Sequence, residues 1–256
     1  MINNNFKILG IIPARWQSSR LPGKPLADIC GKPMIQHVYE RAKLSSSLCG
    51  VIVATDDERI FKAVKDFGGE AVMTASTHPN GTSRVCEAAK IYCDLYKIND
   101  IKAIINIQGD EPLLNPVMID EVAGLLRDDS VKFATLCRPF KDFNEADNVN
   151  AVKVVMDNKG DALYFSRSVI PYVRNNSADI KIYRHIGIYG YKLDFLNLYV
   201  TLPMTPLAEA ESLEQLKVLE SGYKIRVKIT SCQDDEGRGV DTPEDLEAVR
   251  KILKDF

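Results

Sequence analysis

Four short apolar runs in the first 110 residues, KILGIIP (7–13), VIVAT (51–55), EAVMT (70–74) and KAIINI (102–107), are separated by stretches with helical periodicity. This alternation restricts the chain more than any other feature. Apolar runs that do not alternate with polar residues suit strands covered on both faces, and connections long enough to hold a helix suit parallel neighbours. Between the runs, 34–44 places apolar residues at 34, 35, 38 and 42 with a basic outer face, 57–67 is a helix stopped by Gly68 and Gly69, and 82–95 is helical. The N-terminal half therefore predicts an α/β nucleotide-type fold.

Beyond a helix over 116–127 and a strand over 131–138, the alternation loosens. Residues 151–156 and 162–165 flank a turn at 158–160 and predict an antiparallel hairpin. A strand over 186–191, a helix over 209–220, an edge strand over 223–230 and a closing helix over 243–253 complete the reading. No repeat or low-complexity linker divides the chain. The expectation is one domain over 1–256 with a β-rich lobe inserted at about 150–205.

Composition removes several classes of function. The chain has 33 Lys and Arg against 35 Asp and Glu, a formal net charge of −2, so it lacks the overall basic field that nucleic acid or an anionic membrane surface requires. A hydrophobic share of 45% fits a globule, not a disordered chain. The longest uncharged stretch, 195–208, is broken by Pro203 and Pro206 and is shorter than the roughly 20 residues of a spanning helix. The polar start MINNNFK lacks a signal-peptide pattern, which predicts a cytoplasmic protein. The six cysteines form no CxxC pair and are expected as buried thiols.

Three segments could carry chemistry. The loop PARWQSSRLPGKP (13–25) follows the first strand, where open α/β sheets bind ligands. Arg15 and Arg20 can fork onto phosphate oxygens, Lys24 adds a point charge, and Gly23 lets the backbone approach. The loop matches neither GxGxxG nor the GK[ST] signature. NIQGDEP (106–112) places Asp110 at a sheet edge, where it can hold a hard divalent cation, while Glu111 could serve as a helix N-terminal charge. In GRGVDTPEDL (237–246), Thr242, Pro243, Glu244 and Asp245 make a helix start, leaving Asp241 to complete a Mg²⁺ site with Asp110. Residues 1–25 carry four basic and no acidic residues, whereas 234–247 carry seven acids and one Arg.

Taken together, IIPARWQSSRLPGKPL, VATDD, THPNGTSR, INIQGDEP, NAVKVVMDNKGDALYFSR, RHIGIYGY, SLEQLKVLE and GVDTPEDL resemble the 3-deoxy-manno-octulosonate cytidylyltransferases, the CMP-Kdo synthetases, in order from residue 8 to about 250. The resemblance implies a Rossmann-like, mostly parallel mixed sheet of the nucleotide-diphospho-sugar transferase type. It implies transfer from CTP to Kdo, giving CMP-Kdo and diphosphate for lipopolysaccharide synthesis, with Mg²⁺ and a homodimer. The nucleotide site falls on Arg15, Ser18, Lys24, Arg84 and Gln108, and the metal carboxylates on Asp110 and Asp241; the sugar acid falls on Arg167, His185, Tyr189, Glu214 and Gln215. Direct attack by the anomeric hydroxyl needs positioning and charge, with no covalent enzyme intermediate.

Each residue also has a plainer role to set against this. A lone strand His is commonly structural, and Glu211, Glu214 and Gln215 at i, i+3, i+4 could be a solvated helix face. Ser83, Trp16 and Arg238 stand where the family usually has an acidic residue, Tyr and a small or hydroxyl residue. A related acceptor, amino-Kdo or sialic acid, is the nearest alternative activity. A dinucleotide reductase is disfavoured by the missing GxGxxG, and a non-catalytic nucleotide-binding module by the paired carboxylates with Arg and Lys.

Overall fold

The computed structural model describes residues 6–17, 21–175, 180–232 and 239–254. In chain order its elements are β1 (Lys7–Ala14), β2 (Asp28–Ile29), β3 (Lys32–Pro33), α1 (Met34–Lys43), β4 (Gly50–Thr55), α2 (Glu58–Asp66), β5 (Ala71–Met73), α3 (Gly81–Tyr96), β6 (Ile101–Asn106), α4 (Pro116–Leu126) and β7 (Phe133–Pro139). There follow β8 (Lys153–Met156), β9 (Ala162–Ser166), β10 (Tyr183–Lys192), α5 (Leu193–Tyr199), α6 (Pro206–Glu211), α7 (Leu216–Glu220), β11 (Arg226–Ile229) and α8 (Pro243–Lys254).

The main sheet runs β11-β7-β10-β6-β1-β4-β5. β1 pairs in parallel with both β4 and β6, placing Gly10 between Val51 and Ile105. Ile8, Leu9, Ile11 and Ile12 have no solvent exposure, so each contributes roughly 1.5–3 kcal/mol by burial. One face packs Ile8, Ile12 and Ile105 against α1, α2 and α4; the other packs Leu9, Ile11 and Ile104 against α3, α5 and α7. A strand covered on both sides explains why the first apolar runs do not alternate.

β10 alone crosses the main path in the opposite sense, antiparallel to β6 and to β7. Its first residues, Tyr183 and Arg184, also pair with β8, and β8 and β9 form the hairpin that stands off the main path. Within 150–205, then, the hairpin lies to the side while β10 and α5 belong to the central layers. At Gly190 the sheet and α4 approach so closely that a Cβ would lie 2.4 Å from Val122 Cγ1 and 2.7 Å from Leu126 Cδ1.

Three sequence expectations change. The helix expected over 209–220 is two helices, because Ser212 turns left-handed (φ 50°) between α6 and α7. That turn lets Leu213, Leu216 and Val218 reach the core while Arg167 takes the carbonyls of Glu211 and Ser212. Helix α5 was not foreseen, since LDFLNLY follows β10 with no breaker and is too short for a clear period; it buries Phe195, Leu196 and Tyr199. The cysteines are unpaired as expected, but Cys30 and Cys49 are exposed, Cys30 because it occupies a left-handed turn (φ 52°) between β2 and β3. Among the described residues no helix is long and apolar enough to cross a membrane.

Gly190→Ala is expected to lower unfolding stability by about 1–3 kcal/mol through overpacking against α4, read as a shifted denaturant midpoint. An unchanged midpoint would show that α4 can slide away from β10 at no cost.

Candidate active site

The parallel strands β1, β4 and β6 end on the same side of the sheet. The loops after β1 and β6, the segment between β5 and α3, the start of α3 and Asp241 enclose a cleft of about 370 Å³, within the range of small-molecule sites. Asn80 caps α3 by accepting from Ser83 N at 2.9 Å, fixing the helix start that forms one wall. Gly109 allows the loop after β6 to lie against β1, since a Cβ there would sit 2.8 Å from Pro13 O. This contact brings Asp110 beside the first loop.

At the floor, Lys24 Nζ donates to Asp110 Oδ2 (2.6 Å), Val240 O (2.9 Å) and Asp241 Oδ1 (3.3 Å). Val240 N donates to Asp110 O at 2.8 Å, so three distant segments meet at one ammonium. The Thr242 hydroxyl caps α8 as expected, accepting from Asp245 N at 3.2 Å, while Asp245 accepts from Asp241 N and Thr242 N. Asp110 and Asp241 thus converge on a single cation. Two carboxylates with room for phosphate oxygens are the donor set a magnesium ion takes. Among the described residues no group of three or more His, Cys, Asp or Glu is arranged to hold a metal by itself.

Arg84 stands across the cleft, 4% exposed, with Nη1 donating to Thr74 Oγ1 (2.6 Å) and Nη2 to Asp56 Oδ2 (2.9 Å). Arg15 is exposed at the rim, and Gln108 lines the cleft while donating to Gly187 O at 2.9 Å. Ser18, Arg20 and Arg238 lie outside the described residues.

The residues expected for the sugar acid gather on the α5 and α7 side of β10, with one exception. The β10–β7 register shifts between Ile186 and Tyr189, and such an irregularity re-aims side chains near it. His185 Nε2 lies 2.9 Å from Thr135 Oγ1, and its ring packs on Phe165 and Tyr189. Burial lowers its pKa from 6.5 to about 3, so the imidazole is neutral. Tyr189 is raised above the ordinary phenol range by burial and then by Glu214. Glu214 accepts from the Tyr199 hydroxyl at 3.4 Å, and Gln215 is 4% exposed. The exception is Arg167, whose guanidinium donates to the carbonyls of Glu211 (2.7 Å), Val149 (3.0 Å) and Ser212 (3.4 Å). Glu211 leaves the expected helix face as well, accepting from Ser166 Oγ (2.6 Å) and Arg167 N (2.8 Å).

Sequence reasoning missed several participants. Asp56 entered the sequence reading only within the block VATDD, with no role assigned, and Thr74, the other residue that holds Arg84, gave no signal beyond lying at a strand end. Glu111, read as a possible surface helix charge, is 8% exposed, and burial followed by the neighbouring Asp110 pushes its carboxyl up to about 8. Among the described residues, the buried side-chain atoms Asn106 Oδ1, Glu111 Oε2 and Gln215 Nε2 have no hydrogen-bond partner. Buried polar atoms left open are uncommon, and they cluster where ligands bind.

The family model described as "Cytidylyltransferase" matches residues 9–226. The 3-deoxy-manno-octulosonate cytidylyltransferase of Solibacter usitatus is 49% identical over 249 residues, 97% of this chain and 95% of that protein. The enzyme of the same name from Fusobacterium nucleatum is 50% identical over 250 residues, 97% and 98% of the two chains. A solved structure of CMP:2-keto-3-deoxy-manno-octonic acid synthetase complexed with CTP shares 45% identity and a TM-score of 0.88, covering 97% of this chain and 99% of that one. At 13% identity and a TM-score of 0.64, the 4-diphosphocytidyl-2C-methyl-D-erythritol synthase of Anaerococcus prevotii shares the fold alone, over 98% and 97% of the chains. An α/β sheet with a carboxyl-edge cleft, a full-length family match and near-half identity make the chain a member of the cytidylyltransferase family, in its 3-deoxy-manno-octulosonate cytidylyltransferase branch.

Proposed function

We propose that the chain transfers the cytidylyl group of CTP to the anomeric hydroxyl of Kdo, releasing diphosphate, and that it works in the cytoplasm to supply CMP-Kdo for lipopolysaccharide. The observation that carries this reading is the Lys24 ammonium held between Asp110 and Asp241 on the cleft floor, facing Arg84. In one step the hydroxyl oxygen bonds the α-phosphorus, the bond from that phosphorus to the oxygen bridging it to the β-phosphate breaks and diphosphate leaves, and the hydroxyl proton is released to water. Such a reaction asks the protein for positioning and charge, not a nucleophile.

Lys24 and Arg15 meet the phosphates; Ser18, Arg84 and Gln108 complete the nucleotide contacts. Asp110 and Asp241 would hold Mg²⁺, and both already lie within reach of one cation. The chemistry the ion supplies when bound is charge neutralisation at the phosphates. The sugar acid occupies the polar nook beside β10, where His185, Tyr189, Glu214 and Gln215 surround it. The open Nε2 of Gln215 and Oδ1 of Asn106 match a polyhydroxylated acid. Arg167 closes the nook from behind by fixing the α6–α7 turn, and reaches the acid itself only by releasing the carbonyls of Val149 and Ser212. A homodimer forms through 150–205, where Leu163 and Tyr172 are 63% and 87% exposed.

Diphosphate release with CTP and Mg²⁺ is expected with Kdo and not with sialic acid, and Asp110→Asn is expected to lower kcat at least 100-fold while sparing the fold. Silence with Kdo beside turnover of another acid would overturn the acceptor, and normal turnover by Asp110→Asn would remove that residue from the reaction.

His185 also gives a pH dependence. Its folded pKa, about 3, lies below the ordinary 6.5, so the stability it contributes is full above 6.5 and is lost as pH falls towards 3. His185→Phe should therefore lose less stability than the wild type between pH 6.5 and 4 in denaturant titrations; parallel pH curves would contradict a buried neutral imidazole. Light scattering of the purified chain should give twice the 28.6 kDa protomer mass, and a monomer mass would exclude the dimer.

A further inference from the structure

Two adjacent carboxylates behind the cleft have no part in the reaction above. Asp56 and Asp57 follow β4 at its carboxyl end, and neither lines the cleft. Adjacent acids repel each other; here each is matched to its own guanidinium, Arg84 lining the cleft and Arg59 stacked on Trp16 of the first loop.

Asp56 Oδ2 takes Arg84 Nη2 at 2.9 Å, with side chains only 19% and 5% exposed. Thr74 Oγ1 takes the other terminal nitrogen, so the guanidinium has one orientation. Asp57 forks onto Arg59, accepting from Nε at 2.9 Å and Nη2 at 2.6 Å. That fork lays the Arg59 guanidinium 3.4 Å over the Trp16 ring. Trp16 in turn presses on Gly23, where φ is +70° and a Cβ would lie 2.9 Å from the indole, and Gly23 N donates to Trp16 O at 3.2 Å. Arg15 precedes Trp16 and Lys24 follows Gly23. The Trp16–Gly23 contact is therefore the neck of the first loop and sets the separation of its two flanking cations.

We infer that the Asp56–Asp57 pair is a positioning element for CTP: Asp56 aims Arg84 at the nucleoside end, and Asp57, acting through Arg59 and Trp16, holds Arg15 and Lys24 at the phosphate end. Both ends of one nucleotide are measured from a single dipeptide. The inference rests on the CTP reading of the cleft. A guanidinium aimed in advance spends less binding energy on ordering, so the loss on release falls on nucleotide affinity.

The test uses the full chain with steady-state kinetics for both substrates and the emission of Trp16, its sole tryptophan. Arg59→Met breaks one arm without touching the α2 cap, and Asp56→Ala breaks the other. We expect KM for CTP to rise about fivefold and about tenfold respectively, with kcat at saturating CTP and KM for Kdo within about twofold. Asp56→Asn keeps the acceptor and should recover to within about threefold of wild type, and combining Asp56→Ala with Arg59→Met should multiply the two effects. Trp16 emission should shift in Arg59→Met and stay put in Asp56→Asn. Should Asp56→Ala fail to fold, Arg59→Met and Asp56→Asn decide the matter. The proposal is overturned by a KM for CTP that stays within twofold in Arg59→Met, or by KM for Kdo rising in step with it, the mark of general loosening. A wild-type chain inactive with CTP would instead overturn the reading of the cleft.

Discussion

The cleft depends on the Lys24 ammonium. Residues 24, 110 and 240–241 come from the first loop, the loop after β6 and the approach to α8, and no strand pairing joins them. Two carboxylates sharing one ammonium would repel if left alone, and a half-buried lysine without acceptors would be costly. Each condition answers the other. The backbone bond from Val240 N to Asp110 O then fixes the approach of the C-terminal segment, so α8 docks through Leu246 and Val249 onto Met34 and Ile29.

The second organising constraint is β10. As an antiparallel strand between two arms of a mostly parallel sheet, it is core on one stretch and site on another. Tyr191, 1% exposed, stacks on Phe133 at 4.6 Å, whereas His185 and Tyr189, on either side of the register shift, face the polar nook. The sheet's interior and the proposed acceptor chamber thus share one strand, and Gln108, bonded to Gly187 O, spans the boundary between nook and cleft.

Much of this was legible in the residues. The strands and helices of the N-terminal half follow from unbroken apolar runs and the helical period of 3.6, to which the structure adds the caps Asp57 and Asn80. The cleft follows from loops at strand ends, which is why Arg15, Lys24, Asp110 and Asp241 could be named together. What was hidden depends on contacts between distant segments. A left-handed Ser212 has no local signature, and its position is set by three core residues and Arg167. Glu111 carries the same letter whether it caps a helix or lies buried behind Asp110. The partners of Arg84, Asp56 and Thr74, are likewise matters of strand-end proximity, invisible until β4, β5 and α3 are assembled.

The order of the strands has a consequence for synthesis on the ribosome. β1, β4, β5 and β6 can pair with one another as they emerge, but β7 has both its neighbours, β10 and β11, later in the chain. At about 5–20 residues per second, the apolar FATLC of β7 stays unpaired for roughly 2–10 s before residue 183 is made. During that interval the nascent chain exposes two open edges, β6 and β7, that are both destined for β10. Chaperone demand should therefore peak midway through translation, when four strands have formed and the fifth is waiting.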